Sequence, residues 1–294
     1  MKVVAIGNFD GVHRGHQSVL QAARQIAGDA TVSALTFWPH PLSVLNPSQV
    51  PPLLSGITDR VELLRQAGAN EVLIVEFTDT VGSWSPEQFV ERVLDSLQAD
   101  AVVVGQNFHF GAGARADGHQ MRELAQGRFD VTVLDMLCDD GPVSSSRIRA
   151  AVRNGDPKLA AQMLGRWFCY SGLVILGDQR GRMLGFPTAN LAETPGGACF
   201  ADAVYAGYLT HAENRWPAAI SVGSNPTFSG QRRHVEAHAI GHDDLNLYGA
   251  RVGVEFVARL RDQTRFDSRE ALIDQLKSDV EATQRVLAES DSTI

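Results

Sequence analysis

VVAIGNFDGVHRGHQSVL, residues 3–20, decides how the first half of this chain folds. Val3, Val4, Ala5 and Ile6 form a short unbroken apolar run, the mark of a strand buried on both faces. Gly7 to Gly11 make a turn of small residues. His13 and His16 follow, three apart, and apolar spacing resumes at Val19 and Leu20. The reading is strand, turn, helix start. The first turn of a helix presents unpaired backbone N–H groups and the positive end of the helix dipole, which suit a phosphate. Two imidazoles there add hydrogen-bond donors and, as imidazolium, positive charge. HxxH alone more often marks a helix start with two surface histidines. The preceding GxFDGxH and the Gly15–His16 pair favour the phosphate site.

The same alternation continues to about residue 135. Apolar runs at 31–37, 72–77, 101–104 and 131–137 predict strands, and 16–27, 58–67 and 86–97 predict helices. Ser85 supplies an N-cap, Pro86 a first-position proline, and Glu87 and Gln88 a polar first turn for the last of these. This is a βαβ rhythm with buried parallel strands. In such sheets a ligand sits beyond the C-terminal strand ends. GNFDGVHRGH (7–16), FWPHP (37–41) and GQNFHFGAG (105–113) all follow strands. In DGPVSSSRIRAAVRNGD (140–156), Ser144, Ser145 and Ser146 suit a helix start, and Arg147, Arg149 and Arg153 follow. This is a second phosphate clamp or a capped helix with surface arginines. A helix over 157–168 ends at Gly165, and the domain boundary falls near 160–167, giving domains 1–162 and 163–294.

From 169 to 262 the texture changes. CYSGLVIL, ADAVYAGYLT, WPAAISVG, HVEAHAI and RVGVEFVARL are short runs separated by Gly, Asn and Pro, which predicts an antiparallel barrel. Residues 268–288 predict one amphipathic helix, capped by Ser268, with Leu272, Leu276 and Val280 on its apolar face. The closing ESDSTI is expected to fray. GRMLGFPTANL (181–191) is the sharpest feature of this half. Thr188 and Asn190, two apart in an extended segment, place oxygens on one side for a divalent cation and its phosphates, and the glycines admit close approach. The alternative is a Pro–Thr turn with a capping Asn. Glu236 shares a strand face with His234 and His238. It is either a general base for a hydroxyl or part of a solvated face. SVGSNPTFSG (221–230) reads as a loop framing a pocket. Arg265 and Phe266 either cover a flat ligand or close the core.

The 294 residues carry a net charge of −8 and are 44% hydrophobic. That composition supports real cores and argues against a basic nucleic-acid surface. No apolar run is long enough to span a membrane, and no signal-peptide pattern opens the chain. Cys138, Cys169 and Cys199 are odd in number and widely spaced, so neither a disulfide scaffold nor a zinc site is expected. The expectation is a reduced, cytoplasmic protein.

Taken together, GNFDGVHRGH, GQNFHFG, SSSRIR, GRMLGFPTANL, NPTF, VEAH and RFDSREALIDQLKSD resemble, in order and spacing, the prokaryotic bifunctional riboflavin kinase/FMN adenylyltransferase (FAD synthetase) family. ADAVYAG and NPTFSG are closest in texture to its actinobacterial members. The resemblance implies an α/β Rossmann-like nucleotidyltransferase domain followed by a mainly antiparallel β-barrel riboflavin-kinase domain with a C-terminal helix. It implies that riboflavin is phosphorylated to FMN with ATP, and that AMP from a second ATP then passes to FMN, giving FAD and pyrophosphate. Gly7, Phe9, His13, His16, Asn107, Ser145, Ser146 and Arg149 would serve ATP and flavin in the first domain, with His13, His16 and Arg149 catalytic. Gly185, Thr188 and Asn190 would hold Mg²⁺–ATP in the second, and Glu236 would take the proton of the riboflavin 5′-hydroxyl. The implied partners are small molecules alone, with the chain a monomer or transient homo-oligomer. Two departures stand out. Trp38 replaces the acidic residue that often precedes PHP: the lost carboxylate can alter metal or substrate contacts, while the tryptophan can stack on flavin or adenine, and the substitution leads us to expect adenylylation slower than phosphorylation. Ala203 stands where glycine is usual, so the strand start must adjust if that position needs positive φ.

Overall fold

The computed structural model describes residues 1–177, 180–227 and 230–290. Residues 178–179 just before GRMLGFPTANL, 228–229 of NPTFSG and 291–294 of the terminus expected to fray lie outside the described residues. The chain divides into two compact units, Met1–Arg147 and Ile148–Ile294.

In chain order the first unit holds β1 (Lys2–Ile6), α1 (Arg14–Ala27), β2 (Thr31–Trp38), α2 (Pro41–Leu45), α3 (Ile57–Gln66) and β3 (Glu71–Glu76). After these come α4 (Asp79–Gly82), α5 (Pro86–Phe89), β4 (Ala101–Gly105), β5 (His109–Phe110), β6 (Ala116–Asp117), α6 (Gly118–Ala125) and β7 (Asp130–Leu134). The five longer strands form one sheet in the order β3-β2-β1-β4-β7, parallel throughout. Both faces are covered, as the apolar strands require. Val4, Ile6, Val102 and Val104 pack with Phe89, Leu94 and Met121 on one side. Val3, Ala5 and Val103 pack with Leu20, Ala23 and Leu64 on the other. The predicted helix over 86–97 starts with a complete Ser85–Gln88 capping box, but widens into a π-helix over Val90–Asp95. The strand expected over 131–137 ends at Leu134.

α7 (Ser145–Arg153) runs across the division between the units. α8 (Pro157–Leu164) ends at Gly165, whose φ of 72° is the left-handed cap a glycine allows. The second unit continues with β8 (Phe168–Ile175), α9 (Arg180–Met183), β9 (Ala189–Leu191), β10 (Ala203–His211), β11 (Asn214–Thr227), β12 (Gly230–Ala239), β13 (Arg251–Arg261) and α10 (Arg269–Ser290). The strands close a barrel in the order β10-β11-β12-β9-β8-β13. Phe168, Phe200, Tyr205 and Phe256 fill part of it, with ring centroids 4.7–5.4 Å apart along the Phe168–Phe200–Phe256–Tyr205 chain. Burial pushes the Tyr205 phenol up to about 12 while its hydroxyl donates to the Ala201 carbonyl.

Two expectations change here, and the condition set on Ala203 is not met. Residues 221–227, read as loop, continue β11 and pair residue for residue with β12. β10 leaves β11 after Val222, so among the described residues the extension pairs on one side only, and an edge position tolerates Pro226. Ala203 opens β10 in extended conformation, fully buried opposite Val222, and is absent from the positive-φ positions, so its methyl asks for no adjustment. On α10, capped by Ser268 as expected, Leu272, Leu276 and Val280 are only half-buried. The buried positions are Asp279, Thr283 and Leu287. An acid occupies the packed stripe because Arg261 meets Asp279 with two hydrogen bonds of 2.8 and 2.6 Å. Asp279→Ala is expected to cost the barrel unit roughly 1.5–3 kcal/mol, read as a lowered urea midpoint of that unit. An unchanged midpoint would show the pair to be energetically neutral.

Candidate active sites

In the first unit, β1 and β4 are neighbours in the sheet, and the chain order reverses between them. Such a switch point opens a crevice at the C-terminal strand ends. The residues following β1 and β4 are those the sequence singles out. Gly7 leads into a turn in which Phe9 and Val12 take φ of 50° and 40°. A Cβ at Gly7 would lie 3.1 Å from the Phe9 ring, so glycine lets that buried ring fold back over the strand end. His13 is the N-cap of α1, and its Nδ1 accepts from the His16 backbone N–H at 3.3 Å. The two imidazoles stack with centroids 3.6 Å apart, and the Phe9 ring meets His16 edge-on at 5.2 Å. Asn107 is exposed just after β4, and its carbonyl accepts from His109 Nδ1 at 3.0 Å. Ser145 starts α7 and donates to the Asp10 carbonyl at 3.0 Å, which ties that helix start to the same turn. The Ser145 proton is therefore already engaged. Ser146 is exposed, and Arg149 lies one helical turn beyond Ser145.

Sequence reasoning passed over what holds this turn. Arg60 on α3 is fully buried and Asp10 nearly so, with Nη2 3.3 Å from the carboxylate. Asp10 also accepts from the Leu54 and Ser55 backbone N–H groups, at 3.0 Å each to Oδ1. A signal existed: Arg60 stands four before buried Leu64, on the inward stripe of α3. Trp38 ends β2 with a cis bond to Pro39, and the Arg60 guanidinium lies 5.6 Å from its ring centroid. The ring expected to stack on flavin or adenine thus faces an internal cation.

In the second unit, β9 and β12 pair with Asn190 opposite Glu236. Thr188 donates from Oγ1 to Glu236 Oε2 at 3.2 Å, and Asn190 Nδ2 lies 3.1 Å from Thr188 Oγ1. Three side chains separated by up to 48 positions in sequence therefore form one polar group. Their strand neighbours Ala237 and Leu191 point into the barrel, so the group stands on the other face. His238 lies on the face of Glu236, buried beneath Phe186, and its Nδ1 donates to the Pro187 carbonyl at 2.8 Å. A Cβ at Gly177 would stand 2.5 Å from the Asn190 amide, a close approach only glycine permits. Gly185 takes φ of 85° with open space around it. Thr188 and Asn190 also line a cleft of about 440 Å³ whose opposite wall is residues 242–248, a segment that sequence reasoning did not single out. Arg265 is exposed, and the half-buried Phe266 has its ring 5.8 Å from the Arg261 guanidinium.

The two units match two different kinds of protein. The FAD synthetase family model matches residues 1–147, and the riboflavin kinase family model matches residues 164–287. The chain is 33% identical to the bifunctional riboflavin kinase/FMN adenylyltransferase of Bacillus subtilis, over 94% of this chain and 90% of that one. It is 34% identical to the protein of that name from Listeria monocytogenes, over 98% and 93%, and 31% identical to that from Escherichia coli K12, over 95% and 89%. The chain belongs to the bifunctional riboflavin kinase/FMN adenylyltransferase family. A crystal structure titled as a macrolide-efflux protein from Streptococcus pneumoniae shares the fold over 96% of this chain and 93% of its own, with a TM-score of 0.88 and 30% identity. Among the described residues, no helix is long and apolar enough to cross a membrane.

Proposed function

We propose that this chain makes FAD from riboflavin in two steps. The barrel unit transfers the γ-phosphoryl group of ATP to the 5′-hydroxyl of riboflavin, giving FMN. The sheet unit transfers AMP from a second ATP to the FMN phosphate, releasing pyrophosphate. Family membership supports both steps. The observation that carries the division of labour is that two different arrangements suited to phosphate stand in two separate units: stacked histidines at a helix start, and a Thr–Asn–Glu group beside a cleft.

In the adenylyl step the nucleophile already carries charge, so positioning and charge neutralisation are the main tasks. His13 and His16 contact the ATP phosphates, with Gly7 and Phe9 shaping the turn beneath them. Asn107 approaches the nucleotide and flavin from β4. The Ser145 hydroxyl acts by fixing the start of α7, which leaves its backbone N–H groups, Ser146 and Arg149 to meet phosphate oxygens. In the kinase step Glu236 accepts the proton of the attacking hydroxyl. The Thr188 and Asn190 oxygens are hard donors and fit Mg²⁺, which would screen the triphosphate charge when bound. Gly185 leaves the backbone open to those phosphates, and the cleft facing residues 242–248 takes the rest of the nucleotide. We place the functional boundary at residues 162 and 163, beside the Gly165 cap. We also propose a cytoplasmic protein, monomeric or transiently self-associating, of actinobacterial affinity. Composition supports the first and the ADAVYAG and NPTFSG phrases the last.

Incubating the full chain with riboflavin, ATP and Mg²⁺, and separating the flavins by chromatography, is expected to yield FMN and then FAD. FMN alone would overturn the adenylyl step. Neither product would overturn both.

A further inference from the structure

Arg60 is the largest fully buried side chain of the sheet unit, and its hydrogen bonds converge on one turn. Nη1 donates to the Asn8 carbonyl at 2.9 Å. Nη2 donates to the Ser55 carbonyl at 3.1 Å and faces Asp10 Oδ1 at 3.3 Å, and Nε faces Ser55 Oγ at 3.4 Å. Ser55 Oγ accepts from the Gly11 N–H at 2.9 Å. One guanidinium thus fixes residues 8, 10 and 11, the link between β1 and the histidine cap, through three separate routes. Trp38 lies against the same guanidinium.

A buried ion pair of this kind is a weak contributor to net stability, because desolvation offsets its attraction. Its geometric effect is large, because a planar fork with several donors fixes positions as well as charge. We infer that Arg60 is a positioning residue for adenylyl transfer. It touches no substrate; it sets the turn so that His13 and His16 meet the ATP phosphates. Trp38 gives that guanidinium a flat apolar wall. The inference rests on the proposed role of the histidine pair.

The test uses the full chain and measures kcat and KM for FAD formation from FMN, with FMN formation from riboflavin as an internal control. Arg60→Ala is expected to lower the adenylylation kcat about 100-fold, as a displacement on the order of 1 Å does, with KM for ATP and the kinase step little changed. Arg60→Lys keeps a charge near Asp10, but its single ammonium cannot serve the Asn8 and Ser55 carbonyls in one plane. It is expected to fold, as read by thermal melting, and to lose about tenfold in kcat. Wild-type kcat in folded Arg60→Lys, or a loss carried by KM alone, would overturn the inference. His16→Ala measured alongside separates the two failures. If His16→Ala lowers kcat and the Arg60 variants do not, the positioning role is wrong. If His16→Ala also has wild-type kcat, the reading of the histidine site is wrong.

Discussion

Glu236→Gln is expected to stop FMN formation from riboflavin while FAD formation from added FMN continues. Gln has the shape of Glu, and its carbonyl can still accept from Thr188 Oγ1, where the carboxylate now does at 3.2 Å. The β9–β12 register, with Asn190 opposite position 236, does not depend on the side chain's charge. The substitution removes the capacity to take a proton, together with the negative charge, and keeps an acceptor for the threonine hydroxyl. General-base assistance contributes about 10²–10⁴-fold, so the kinase kcat should fall by that factor with little change in KM for ATP. The measurement is steady-state flavin chromatography with either riboflavin or FMN supplied. A variant that phosphorylates riboflavin at the wild-type rate would remove Glu236 from the chemistry. It would then be read as a polar residue that orients Thr188.

The mirror experiment lies in the other unit. His16→Ala should lower FAD formation from FMN by about 10²–10³-fold, the effect of removing one preorganised donor to developing charge, and leave riboflavin phosphorylation intact. The geometry makes this substitution cleaner than its neighbour. The α1 cap uses the His16 backbone N–H and the His13 ring, so alanine at 16 keeps the cap. His13→Ala removes the cap as well as the imidazole and should add a stability cost of about 0.5–2 kcal/mol. Comparing melting temperatures of the two variants separates capping from catalysis. Unchanged adenylylation in His16→Ala would sink the histidine site.

The sheet unit was legible because β1, β3 and β4 each hold a run of four apolar residues, β2 and β7 are mainly apolar, and the stretches singled out at 7–16, 37–41 and 105–113 lie at strand ends. A parallel sheet buried on both faces writes itself into sequence in that way. The β11 extension was hidden because Asn225, Pro226 and Gly230 are turn residues in any local reading. Only the ladder with β12, a non-local fact, makes them strand. The Thr188–Asn190 pair could be read from spacing, but its meeting with Glu236 depends on β9 lying beside β12 in the closed barrel. The Asp10–Arg60 pair spans 50 positions and has no local signature beyond one arginine on an inward helical stripe. The Arg60 contact of Trp38 was hidden for the same reason. Its partner is a side chain from α3, which the FWPHP stretch does not announce.

The bond from Thr188 to Glu236 has a bearing on the sequence of events in the barrel. The threonine gives its proton to the carboxylate and keeps an oxygen lone pair, and the carboxylate keeps further acceptor sites. On the proposed reading the threonine oxygen would hold the cation and the carboxylate the flavin hydroxyl without breaking the bond between them. Nucleotide and vitamin would then meet opposite ends of one hydrogen bond, so the affinity for riboflavin should depend on the concentration of ATP.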